Sequence, residues 1–206
     1  MAVMTRRMVG ASTFALLFAA SFAAAQAPET VRVRGSIESV DGQMLTVKSR
    51  DGAALKVKAA DNAMVVAVVK ASLADVKQGG FIGVTGMPQP DGSQKAVEIH
   101  IFPEAMRGTG EGHRPWDLMP NSTMTNANVD SEVVSADGKT LVLKYKDGEK
   151  TIMVPSNVIV VTYVPATMAD LKAGEKIFVA AAAKQPDGTL VAPRITVSRG
   201  GINPPM

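Results

Sequence analysis

The residues predict an all-β protein built of two tandem, small, five-stranded antiparallel barrels, each with one short helix between its third and fourth strands. Three observations carry this expectation: an internal repeat, apolar side chains at every second position, and Asp-Gly pairs that punctuate the alternation. SIESVDGQMLTVKSRDG (36–52) matches SEVVSADGKTLVLKYKDG (131–148), with Asp41-Gly42 on Asp137-Gly138 and Asp51-Gly52 on Asp147-Gly148, both 96 residues apart. LADVKQGGFIGVTGMPQPDG (73–92) matches MADLKAGEKIFVAAAAKQPDG (168–188), again ending on Pro-Asp-Gly 96 residues on. A repeat this long fixes the organisation before any single element is assigned.

Two units follow, 30–103 and 126–199, separated by a connector at 104–125 and followed by a tail at 200–206. A unit of this size buries only about 60 to 65% of its chain surface, so the two are expected to share an interface. Within a unit the period is two. Val31, Val33 and Ile37 alternate with Arg32, Arg34 and Glu38, and Leu45 and Val47 alternate with Thr46 and Lys48. Val97, Ile99 and Ile101 alternate with Glu98 and His100, which places His100 on a polar, solvent-facing side. The Asp-Gly pairs tolerate the positive φ of tight hairpins and join strands one to three into a meander. Ser72-Leu73-Ala74-Asp75 and Thr167-Met168-Ala169-Asp170 each set a hydroxyl three residues before an acid, as a capped helix start does, with Gly79 and Gly174 placed to end the helix. The resulting order β-β-β-α-β-β is that of the OB-fold; an SH3-like barrel or a sandwich is the competing arrangement.

The run 169–197 (ADLKAGEKIFVAAAAKQPDGTLVAPRITV) and its partner ADVKQGGFIGVTGMPQPDGSQKAVEIHI resemble small OB-like domains of unknown function found in exported bacterial proteins. The shared pattern is Leu-x-x-Gly, an alternating strand, Asp-Gly and a final strand. The resemblance covers most of both units but not the connector. It implies a fold and an exported location, and brings no catalytic residues.

Export is also expected from residues 1–25 read as a signal peptide. Arg6 and Arg7 form a positive start, 8–22 is an apolar stretch too short to span a bilayer, and Ala23-Ala24-Ala25 offers cleavage after Ala25. Thr5-Arg6-Arg7 is a weak twin-arginine pattern, and ordinary unfolded secretion to the periplasm is expected. Removing two arginines takes the formal charge from +3 to +1. That near-neutral balance and the few aromatics argue against a nucleic-acid partner. The chain has no cysteine, which excludes disulfides, thiol catalysis, zinc-thiolate sites and a lipid-anchored Cys. No later apolar stretch is long enough for stable membrane insertion. No cofactor motif is present, and the enzyme templates of nucleophile elbow, zincin helix and P-loop are missing. A non-enzymatic module with an envelope ligand or protein partner is the expectation.

Candidate site residues cluster in the connector, whose Gly, Pro, Asn, Ser and Thr content reads as loop. It holds the only Trp, with Leu118, Met119 and Met124. Trp116 either closes a barrel end or lines a ligand site with His113, Arg114 and Asp117. On the strand-two and strand-three faces, where OB barrels bind, Lys48, Arg50 and Lys56 in the first unit and Lys144 and Lys146 in the second suit an anionic ligand. The alternative is a Cu(I) site in which the soft donors Met106, Met119 and Met124 join His113.

Overall fold

The computed structural model describes residues 29–135 and 138–202; the expected signal segment, Asp137 and residues 203–206 lie outside them. Among the described residues twelve strands form one continuous sheet: β1 (Thr30–Asp41), β2 (Met44–Ser49), β3 (Ala54–Lys70), β4 (Phe81–Pro88), β5 (Gln94–Ile101), β6 (Gly112–Pro115), β7 (Thr123–Ser135), β8 (Gly138–Tyr145), β9 (Gly148–Val154), β10 (Ile159–Pro165), β11 (Lys176–Lys184) and β12 (Leu190–Ser198). The all-β expectation holds. Gly42 and Gly52 take φ values of 56° and 91°, as the Asp-Gly hairpins around β2 require.

The strands do not close within each repeat. β1, β2 and β3 of the first repeat form a closed five-stranded barrel with β11 and β12 of the second. Eight residues of β3 pair with β12 in parallel, and six of β1 pair with β11. Reciprocally, β4 and β5 of the first repeat join β7, β8 and β9 of the second, with six pairs between β4 and β7. A two-residue contact of Gln94 and Lys95 with Ile152 and Met153 closes this second ring. The expected barrel per repeat is therefore corrected to an exchange of the last two strands. Matching repeats make the exchange possible, because either copy of these strands presents the same apolar face.

β10 joins the rings, running antiparallel to β3 and parallel to β5. The β3–β10 pairs Val66↔Pro165 and Lys70↔Val161 interchange when 95 is added to the first-repeat residue and taken from the second. Val68↔Tyr163 is its own image, so a pseudo-twofold axis passes between them. The same axis relates Ile159↔Glu98 to Met64↔Arg194.

The first strand corrects the sequence alignment. Ile37 pairs with Val47 and Val129 with Leu143, so Ile37 matches Val129, 92 residues on rather than 96. Both strands carry an irregularity there, between Ile37 and Ser39 and between Val129 and Ser131, and the second hairpin is longer.

The expected helices are single 3-10 turns at Leu73–Asp75 and Met168–Asp170. Both capping boxes form, with the Ser72 and Thr167 amides each donating to the acid at 2.8 Å. The next residues, Val76 and Leu171, turn extended and bury in the ring cores, which stops the helix after one turn. The connector also departs from a plain loop: β6 forms a hairpin with β7. Among the described residues no helix is long and apolar enough to cross a membrane.

Three cores result. Ile37, Leu45, Val57, Ile177, Ile195 and Val197 fill the first ring, and Ile82, Val84, Ile99, Leu141, Leu143 and Ile152 fill the second. The third lies between the rings and contains Val66, Val68, Phe81, Phe102, Trp116, Met124, Val161, Tyr163 and Phe178. It exists because β3, β4, β5, β10, β11 and β12 are covered on both faces. Their alternate side chains point into a ring or into this middle layer.

Candidate functional site

The middle layer holds a cavity of about 170 Å³ that opens to solvent beside Gly110 and Ala180. Its aromatic wall is Phe102, Trp116, Tyr163 and Phe178, its thioethers are Met106 and Met124, and its polar lining is His100, Arg114, Asn126, Arg194 and Thr196 with the Thr109-Gly110 turn. Phe102 and Tyr163 stack at 5.3 Å between ring centres, and Trp116 meets Phe178 edge-on at 6.4 Å. Among the described residues no carboxylate lines the cavity, whereas two guanidiniums do.

His100 corrects the expected surface position. It is 1% exposed, and its Nδ1 lies 3.1 Å from Oε1 of Glu98, which is 3% exposed. The polar side of β5 is buried because it faces the opposite ring instead of water. Burial pushes the Glu98 carboxyl above the usual carboxylate range, against the hydrogen bond and charge of His100 and the charge of Arg34. The Tyr163 phenol is pushed up as well, chiefly by burial and then by the Glu98 charge. Gly83 makes room for the imidazole: a Cβ there would sit 2.0 Å from His100 Nε2 and 2.6 Å from Asn126 Oδ1.

Trp116 is 9% exposed and forms part of an arginine stack. The guanidinium carbons of Arg32, Arg114 and Arg34 lie 4.2, 5.4 and 5.7 Å from its ring centre. Its backbone is held by a turn in which Trp116 N donates to Ser122 O and Ser122 Oγ donates to Trp116 O. Asn121 at φ 62° closes that turn. Asp117 straps the connector to the first ring, accepting from both Nη atoms of Arg34 at 2.9 and 3.0 Å, with Arg32 3.4 Å away. The Arg34 hydrogen bond, together with the charges of Arg34 and Arg32, holds the Asp117 carboxyl below its ordinary value. Arg114 donates to Gly110 O at 2.7 Å. Burial, and then the charge of Arg32, pull its guanidinium below the usual value, yet it stays a cation at any physiological pH.

Among the described residues three buried side-chain atoms have no partner: Thr85 Oγ1 on the face of β4 that carries Gly83, and, in the cavity lining, the indole Nε1 of Trp116 and the Oδ1 of Asn126, whose Nδ2 donates to Thr109 O. Asn126 is 4% exposed. An unpaired buried donor or acceptor costs on the order of 1 to 3 kcal/mol.

Of the residues read from sequence, Arg114 and Trp116 line this cavity. Arg50 is not among its lining residues: it donates to the Leu118 and Asp117 carbonyls and with Arg34, Lys48 and Lys176 lines a separate surface groove. His113 is turned to Thr125 Oγ1 at 2.8 Å, and burial, then Lys150 and Arg114, lower its pKa. Lys144 pairs with Asp130 at 3.0 Å, and the Lys146 amide donates to Glu111, so these lysines and the cavity are not one site. Of the copper donors, Met106 and Met124 reach the cavity, whereas Met119 is exposed and His113 is not among the lining residues. Sequence reasoning missed Glu98, His100, Asn126, Tyr163 and Arg194. The available signal was that Glu98 and His100 stand where the second repeat has Arg194 and Thr196. No protein-family model matches the chain, and neither does any curated protein or solved structure.

Proposed function

We propose that this chain is an exported, non-enzymatic binding module of the periplasm, made of two strand-exchanged OB-like units, that holds a small anionic ligand from the envelope in the cavity between them. One observation carries the reading: Arg114 and Arg194 both line an aromatic cavity that offers them no carboxylate. Both guanidiniums are half-buried and give up part of their hydration, which a ligand anion offsets. Concave, mostly apolar pockets with a few convergent polar groups are the usual form of a small-molecule site. The connector supplies Arg114 and Trp116, which agrees with its being ordered by Asp117 instead of hanging free.

The test uses Trp116, the only Trp. Titration of the purified chain with short carboxylates and inorganic phosphate should change the Trp116 emission saturably and raise the melting temperature. Replacing Arg114 with Gln should weaken the response at least tenfold. If no small anion shifts emission or melting, the proposal fails.

A second reading keeps copper, now at the cavity: Met106 and Met124 line it together with His100, and soft donors of this kind suit Cu(I). Cu(I) titration against a competing chelator separates the two. Micromolar or weaker affinity, or affinity unchanged in a Met106→Leu, Met124→Leu double variant, removes copper from consideration.

A further inference from the structure

Resting on the anion-binding reading, we infer that the ligand is a single-ring aromatic carboxylate bearing a hydroxyl group. Size comes first. A cavity of about 170 Å³ is close to the roughly 150 Å³ of an apolar protein cavity that accepts benzene. It is well below the roughly 300 Å³ at which pockets for larger ligands begin. A single ring with one or two substituents fills it, whereas a nucleotide, an oligosaccharide or a fatty acyl chain would leave most of itself in solvent.

Wall chemistry selects the body of the ligand. Phe102, Trp116, Tyr163 and Phe178 all line the space, and tilted or offset aromatic neighbours already recur within this layer at centre distances of 5.3 to 6.4 Å. A flat ring gains both burial and edge or face contacts there. Phosphate or sulfate would leave this surface unused.

The polar groups then assign the substituents. Arg114 and Arg194 call for one anionic group, and the unpaired Trp116 Nε1 is a donor that the same carboxylate satisfies. Asn126 Oδ1 is the opposite case, an unpaired acceptor. A second carboxylate placed beside it would meet repulsion, whereas a hydroxyl donates to it. One acid and one hydroxyl on one ring therefore leave none of these four groups unanswered.

Isothermal titration calorimetry of the full mature chain with 3- and 4-hydroxybenzoate, benzoate, cyclohexanecarboxylate, succinate and phosphate tests this assignment. The expected result is that one of the two hydroxybenzoates binds at least tenfold more tightly than benzoate and than cyclohexanecarboxylate. Arg114→Gln and Arg194→Gln should each weaken it tenfold or more. Because the chain has one indole, the single Trp116 Nε1–H resonance gives an independent reading, and it should move on saturation. Arg114-dependent binding of succinate or phosphate, with no preference for the hydroxybenzoates, overturns the aromatic assignment and leaves the anion-binding reading in place. Hydroxybenzoate binding that neither arginine variant weakens, or that leaves the indole resonance still, places the ligand elsewhere and overturns the assignment too. Silence from every compound overturns both.

Discussion

Cutting the connector should leave the molecule in one piece. A protease recognition sequence inserted after the exposed Gly108 allows the chain to be nicked between the repeats once folded. Were each repeat its own barrel, the halves would be held by a domain contact and would separate on dilution. With the last two strands exchanged, β3–β12, β1–β11 and β4–β7 all cross between halves, with eight, six and six paired residues. At about 0.5 kcal/mol net for each paired residue, these strands alone contribute roughly 10 kcal/mol. That corresponds to a Kd of tens of nanomolar. Burial of Ile177, Ile195 and Val197 in the first ring and Ile82, Val84 and Ile99 in the second adds to it and offsets the entropy of association. Size-exclusion chromatography at ~10 µM should show the nicked chain at the elution volume of the intact one, with two bands after denaturation. Two half-sized species under native conditions would refute the exchanged topology.

Three further outcomes follow from particular contacts. Ile99→Ala and Ile195→Ala remove symmetry-related, fully buried side chains, one from each ring, and urea unfolding should show a loss of about 2 to 5 kcal/mol for each; a cost below 1 kcal/mol for either would mean its ring is not a packed core. Gly83→Ala puts a methyl 2.0 Å from His100 Nε2 and should destabilise by about 1 to 3 kcal/mol, measured the same way, with an unchanged midpoint showing that the imidazole does not rest on this glycine. Asp170 is held below its ordinary pKa of 3.8, first by the Thr167 amide and then by Arg199, so its contribution is present above that value and fades as pH falls through the lower folded-state value. The stability gap between the chain and Asp170→Asn should be open at pH 7 and narrow as pH falls below 3.8; a gap that does not narrow there would contradict this assignment.

Local structure was legible because its causes are local. Alternation at Val31, Val33 and Ile37, the Asp-Gly turns at Gly42 and Gly52, and both capping pairs are decided by neighbours within a few residues. The exchange of strands was not legible, for a physical reason. β4 and β11 present Ile82 and Val84 in one copy and Ile177 and Val179 in the other, so nothing in the alternation says which ring receives which strand. The middle layer failed to register for a related reason. Glu98 and His100 on β5 have the alternation of a strand with one wet face, and only the opposite ring makes that face dry. In the connector, Trp116 is buried with Arg114 beside it, while His113 packs on Thr125, a division that no local pattern in this loop announces.

Comparison of the two copies separates what the fold requires from what it does not. Inside the rings, symmetry-related positions carry the same or nearly the same residue: Ile37 and Val129, Leu45 and Leu141, Ile82 and Ile177, Ala96 and Ala192, Ile99 and Ile195. Around the pseudo-twofold axis Val66 and Val161 are alike, but several positions are not: Glu98 corresponds to Arg194, His100 to Thr196, Gly83 to Phe178 and Asn126 to Arg34. If this layer served only to join the rings, two like apolar surfaces would do so best, since burying Glu98 and leaving Trp116 Nε1 and Asn126 Oδ1 unpaired both oppose folding. Asymmetry concentrated near the axis, beside a cavity, is what the proposed binding of one small, unsymmetrical molecule would require. An acid at one end of such a molecule and a donor at the other would meet arginine and asparagine in only one orientation.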